Sequence, residues 1–176
     1  MKLMLILANG FEEIEAVAPI DILRRAEVDV EIVGLTSKTV KGKNKIKIIA
    51  DKKFGEIKNF DKYQGIILPG GNPGYKNLLK SKKLIEIVRR FFVQGKLIAA
   101  ICAAPLVLKK AGILENVKVT AYPTLEKEFK NYVPSKVLKD KNVITARGPN
   151  AAIEFGLEIV RAVKGEKVAK EIRDKL

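Results

Sequence analysis

Cys102 is the single cysteine of the chain and the residue best placed to do covalent chemistry. It follows the apolar run Leu97-Ile98-Ala99-Ala100-Ile101 and precedes Ala103-Ala104-Pro105, a strand pattern that turns at once into a helix pattern. Such a junction presents its residue on a tight, strained turn, in the manner of a nucleophile elbow. Pro105 suits a first helical turn, where its missing N–H costs little. The free N–H groups and partial positive charge of a helix start favour thiolate over thiol. The plainer reading of the same residue is a small buried hydrophobe, the usual state of a free cysteine.

Glu15 ends the run Gly10-Phe11-Glu12-Glu13-Ile14-Glu15, at the start of a helix that follows the first strand. The spacing of Ile14, Val17 and Ile20 predicts the buried face, with Glu15 beside it. A carboxyl there is desolvated, keeps its proton and can hydrogen-bond a thiolate. Acids in a first turn also complement the helix dipole without doing any chemistry. The stretch Pro69-Gly70-Gly71-Asn72-Pro73-Gly74 is glycine-rich but lacks the Lys-Ser/Thr tail of a phosphate loop, and Pro73 removes a donor. It reads either as a plain turn or as a source of backbone N–H groups beside the thiol. In the second reading Gly71 lies across the crevice and Ala103 behind the sulfur, forming an oxyanion site. Arg147-Gly148-Pro149 is either a pocket wall or a helix entry capped by Asn150.

The chain has no histidine. That excludes every Ser-His and Cys-His mechanism within the chain or a homo-oligomer of it. It also removes His-based metal sites, so neither a metal nor a cofactor is expected. One cysteine allows no internal disulfide, which points to a reducing compartment. The apolar run Leu3 to Ala8 is too short for a signal-peptide core, and none reaches the ~20 residues of a membrane span. The expected location is therefore the cytoplasm.

The elements that must position these residues alternate along the chain without a linker or a repeat, so residues 1–176 are expected to form one domain. Strands are expected over 2–8, 29–35, 45–50, 65–68, 96–101, 118–121 and 142–146. Helices are expected over 12–27, 84–93, 103–111, 151–163 and 166–175, with Pro19 kinking the first and Gly112 closing the third. Several strands are apolar throughout, which is the mark of a mainly parallel sheet covered on both faces. In open parallel sheets the site lies beyond the carboxyl ends of the strands. Strands ending in Ala8-Asn9-Gly10, Leu68-Pro69-Gly70-Gly71 and Ile101-Cys102 would converge on one crevice.

Charge is lopsided, with 34 Lys+Arg against 20 Asp+Glu and a formal +14. Clustered cations suit nucleic acid, but the densest stretch, Lys38 to Lys58, has only Phe54 as an aromatic and is interrupted by Asp51 and Glu56. A solvated Lys-rich surface is the preferred reading, and nucleic acid is not an expected partner.

Together the runs Gly10 to Glu15, Leu68 to Asn72, Ala99 to Pro105 and Arg147 to Pro149 resemble the ThiJ/PfpI superfamily over nearly the whole chain. The similarity is greatest to the branch of the bacterial ThiJ/YajL-type proteins and the human parkinsonism-associated protein deglycase. The resemblance implies a flavodoxin-like α/β three-layer sandwich, a homodimer with room for higher assembly, Cys102 as elbow cysteine and Glu15 as its protonated partner. It implies Gly71 and Ala103 as oxyanion amides, in a pocket walled by Gly70, Asn72, Tyr122, Arg147 and Pro149. The implied activities are glyoxalase or deglycase chemistry on a small carbonyl substrate, chaperone or redox-sensor behaviour, and proteolysis. Proteases of the PfpI type carry histidine after the cysteine, where this chain has Ala103. Many glyoxalase-type members have a pocket histidine where this chain has Tyr122, a poor base at neutral pH because its reference pKa is about 10.

Overall fold

The computed structural model describes residues 1–176. Strands β1 (Lys2–Leu7), β2 (Asp29–Gly34), β5 (Lys52–Lys53), β6 (Gly65–Leu68), β7 (Leu97–Ile101), β8 (Val137–Asp140) and β9 (Val143–Ala146) form one sheet in the order β5-β2-β1-β6-β7-β9-β8. All neighbours are parallel except β8, which returns antiparallel on β9. A separate hairpin of β3 (Thr39–Lys41) and β4 (Lys47–Ile49) stands off the sheet.

Helices α1 (Glu13–Arg25), α5 (Ala152–Lys164) and α6 (Glu166–Arg173) cover one face. Helices α2 (Gly74–Lys80), α3 (Lys82–Val93) and α4 (Pro105–Lys110) cover the other. β1 shows why its strand pattern is apolar throughout. Leu3, Leu5 and Leu7 enter one core, and Met4, Ile6 and Ala8 enter the other. The two cores are nearly equal, at 27 and 25 buried residues, so neither face of the sheet is a solvent face. This is the flavodoxin-like sandwich that the sequence implies.

Four expectations need correction. Residues 118–121 form no ladder, only a single bridge from Val119 to Tyr132. Both edges of β9 are already taken by β7 and β8, so this stretch fastens through a side chain instead, with Thr120 N–H donating to Thr145 Oγ1 at 3.0 Å. The helix expected from Ala103 starts at Pro105, after a turn at Cys102. Helix α1 runs unbroken through Pro19, which is buried against α5 at Gly156. Finally, the buried face of α1 carries Glu13, Glu15, Ala16, Pro19 and Ile20, while Ile14 and Val17 are 55% and 48% exposed. The helix is thus rotated from the expected facing, and this turns Glu15 wholly into the protein.

Candidate active site

β1, β6 and β7 are neighbours, so the loops after them meet at one end of the sheet. The first two are tied together: Gly70 O accepts from Glu12 N–H at 3.1 Å, Gly10 O accepts from Gly74 N–H at 3.1 Å, and Asn77 Nδ2 donates to Asn9 O at 2.9 Å. Close approach requires glycine here. A Cβ on Gly71, whose φ is +91°, would stand 2.6 Å from Gly10 O.

Cys102 has φ +65°, the left-handed region that a non-glycine residue enters at a cost of ~1–2 kcal/mol. Main-chain bonds hold it there. Its N–H donates to Ala146 O at 2.8 Å, and its carbonyl accepts Tyr122 N–H at 2.8 Å. The elbow expected from the sequence is therefore present. Gly71 and Ala103 line the cleft with Cys102, and their amides act to lower the thiol pKa.

Glu15 is fully buried, with no exposed surface. Its Oε2 accepts Gly70 N–H at 2.8 Å, while Oε1 has no aligned donor. Because Oε2 is committed as an acceptor, the carboxyl proton belongs on Oε1, where it also removes an otherwise unpartnered buried acceptor. Burial raises Glu15 to about 7, against the pull of its hydrogen bonds with Cys102 and Gly70. Burial also pushes the Cys102 thiol up to about 12, and the Glu15 charge adds to the rise. The amides of Gly71 and Ala103 oppose that rise without cancelling it. Helix α4 begins three residues beyond Cys102, at Pro105.

The cleft above the sulfur has a volume of about 400 Å³ and is lined by Glu15, Gly71, Asn72, Cys102, Ala103, Tyr122 and Pro149, among others. Gly70 lies directly behind it, where a Cβ would be 2.8 Å from Cys102 Cβ. Of the expected pocket residues, Asn72, Tyr122 and Pro149 line this cleft, and Gly70 and Arg147 do not. Arg147 is exposed and faces a separate cleft with Lys136 and Tyr132, because its N–H is held by Lys136 O at 3.1 Å. Glu12, Lys43, Tyr75, Thr124 and Leu125 line the Cys102 cleft although sequence reading did not select them. Lys43 arrives on the β3–β4 hairpin, whose turn is docked by Glu13 accepting from Asn44 N–H at 2.7 Å. The only sequence signal for this was a run of three acids needing donors.

A doubly covered parallel sheet with a cysteine on a left-handed elbow, beside a buried protonatable glutamate, defines a class of cysteine-centred α/β proteins. The chain belongs to the DJ-1/PfpI family, whose model matches residues 1–162. It is 37% identical over 174 residues to Protein dj-1beta of Drosophila melanogaster, spanning 96% of this chain and 92% of that protein. It is 35% identical over 178 residues to the Parkinson disease protein 7 homolog of Danio rerio, spanning 98% and 94%. The solved structure of Toxoplasma gondii DJ-1, described as oxidized, superposes with a TM-score of 0.95 at 34% identity, covering 99% of this chain and 96% of that one. No helix of the chain is long and apolar enough to cross a membrane.

Proposed function

We propose that the protein is an enzyme of the glyoxalase or deglycase type, using Cys102 on reactive dicarbonyls or their early adducts. A fully buried carboxyl, Glu15, lining one cleft with Cys102, Gly71 and Ala103 carries this reading. Once Glu15 has lost its proton, near pH 7, its carboxylate takes the thiol proton as sulfur adds to the aldehyde carbon. Glu15 passes that proton to the oxygen, which becomes the hydroxyl of a hemithioacetal beside the Gly71 and Ala103 amides, and is a carboxylate again. Glu15 then moves the proton from that carbon to the adjacent carbonyl carbon, through an enediol, leaving a thioester. Water cleaves the thioester to a hydroxy acid and restores the thiol. No external oxidant is needed, because one carbon is oxidised as its neighbour is reduced.

Lactate formation from methylglyoxal, followed in wild type, Cys102→Ala and Glu15→Gln, tests the proposal. Turnover by wild type and its loss in both variants is the expected result. Lactate production that survives Cys102→Ala would overturn it.

A second reading has its own support. The oxidized state of the Toxoplasma gondii relative favours a redox sensor or chaperone-like protein in which Cys102 is itself the substrate. A gain of two oxygens at low peroxide, with dicarbonyls untouched, selects that reading. Proteolysis has no support in the site, since Ala103 follows Cys102 and the chain lacks histidine.

We propose further that the protein acts in the cytoplasm as a homodimer. Ile14 and Val17 share an exposed face of α1, and Ile46, 57% exposed, is tied to Glu13 of that helix through its N–H. This apolar surface suits a second copy of the chain, and sedimentation velocity checks it.

A further inference from the structure

Lys43 is the only cation lining the Cys102 cleft. Its main chain is fixed by donation to Phe11 O at 2.8 Å, next to Gly10 and the first loop of the site. Its ammonium is less committed. Nζ lies 3.6 Å from Glu12 Oε2, beyond the ~2.7–2.9 Å of a charge-assisted hydrogen bond, and the side chain is half exposed. Glu12 has another partner, since its Oε1 accepts from Asn44 Nδ2 at 3.2 Å. Lys43 therefore retains donors that no group of the protein uses well. Its charge reaches the reacting pair, because it acts to lower the Glu15 pKa. The formal net charge of +14 adds a long-range pull on anions.

We propose that Lys43 is a specificity residue that pairs with a carboxylate on the substrate, so that the cleft prefers carbonyl compounds bearing a carboxylate close to the reacting carbon. The proposal rests on the enzyme reading for the word substrate, and on the cleft alone for the charge preference. 2-Oxoaldehydes that carry a carboxylate in addition to the two adjacent carbonyls are the class it selects. Asn72 and Thr124 offer uncharged donors beside Lys43, and Tyr75, Tyr122 and Leu125 supply the apolar wall.

The test reads charge selection without turnover. Iodoacetate and iodoacetamide alkylate the same thiol and differ in charge, so the ratio of their rates at Cys102 reports the field at the sulfur. The neutral reagent absorbs any change in thiol ionisation. Replacing Lys43 by glutamine is expected to lower the iodoacetate-to-iodoacetamide ratio roughly three- to tenfold, the worth of one partly screened charge at cleft distance. Lys43→Arg is expected to restore the ratio, and added salt to reduce it in wild type. An unchanged ratio in Lys43→Gln, or an arginine variant no better than the glutamine one, overturns the proposal. Methylglyoxal and 4,5-dioxopentanoate, a 2-oxoaldehyde that ends in a carboxylate, serve as paired substrates that separate the two readings. If neither turns over while the alkylation ratio behaves as expected, the enzyme reading fails and charge selection stands. Turnover of methylglyoxal with no charge effect in either assay removes Lys43 alone.

Discussion

Gly70 donates its main-chain N–H to Glu15 Oε2 at 2.8 Å, across 55 residues of sequence. This contact joins the loop after β6 to the first turn of α1 and sets the carboxyl against the thiol. The absence of a side chain at Gly70 matters as much as its N–H. A Cβ there would lie 2.8 Å from both Cys102 Cβ and Glu15 Oε2, and 3.0 Å from Ile101 O. Space requires glycine at this position, since Gly70 is not among the residues with positive φ.

Gly70→Ala should therefore push the pair apart without replacing either member. Overpacking of this kind costs about 1–3 kcal/mol. Gly55→Ala is the reference, because a Cβ at Gly55 meets nothing within 4 Å. Urea unfolding and the iodoacetamide rate at Cys102 should both shift in Gly70→Ala and stay near wild type in Gly55→Ala. Two variants alike in stability and reactivity would show that the close packing at Gly70 is not what holds the pair.

Glu15 makes the stability of the fold depend on pH in an unusual direction. Its carboxyl rises from an ordinary 4.5 to about 7 on folding, through burial, so the folded protein binds the proton more tightly than the unfolded chain. The favourable contribution is complete below pH 4.5 and disappears as pH rises through about 7. At 1.36 kcal/mol per pKa unit the fall is roughly 3 kcal/mol. Glu15→Gln keeps an acceptor for Gly70 and has no proton to lose, so it should be the more stable protein at pH 8 and lose that advantage at pH 5. Denaturant midpoints at the two pH values measure this. A constant difference between the proteins would mean that Glu15 is not buried as an acid.

Much of the site could be read before any fold was known, and the reason is local. An apolar strand running into Cys102 and Pro105, and glycine pairs after β6, report on neighbouring backbone, so a short window of sequence carries them. The facing of α1 could not be read in that way. Ile14 and Val17 have the spacing of a core face, yet Glu13 and Glu15 occupy the interior because partners far along the chain, Asn44 and Gly70, satisfy their oxygens. Periodicity alone cannot separate such exposed apolar residues from a core face. Lys43 was hidden for the same reason, since only the docked hairpin brings a residue from the most basic stretch to the thiol. Arg147 failed in the opposite sense. Its neighbours Gly148 and Pro149 do border the site, but a strand end gives adjacent residues different directions.

A second buried carboxylate works against the first. Glu31 on β2 is 7% exposed and lies within 3.0 Å of Lys2 Nζ, 3.3 Å of Lys52 Nζ and 3.9 Å of Lys62 Nζ, with the Tyr63 hydroxyl donating to it. Burial alone would raise its pKa, but the hydrogen bonds from Tyr63, Lys2 and Lys52 prevail and hold it at about 2. Here the folded value lies below the ordinary 4.5, so the contribution is present above pH 4.5 and lost as pH falls toward about 2. Solvent screening at the part-exposed lysines limits it to on the order of 2 kcal/mol. Replacing Glu31 by glutamine should thus destabilise the protein at pH 6 and make little difference at pH 2, the reverse of the Glu15 behaviour. With only these two groups considered, stability peaks near pH 4.5, where Glu15 is still protonated and Glu31 still charged. Unfolding free energies of wild type and both single variants between pH 2 and 8 would test the pair together. If Glu31→Gln cost the same at every pH, the lysines would be packing on that edge of the sheet rather than pairing with a charge.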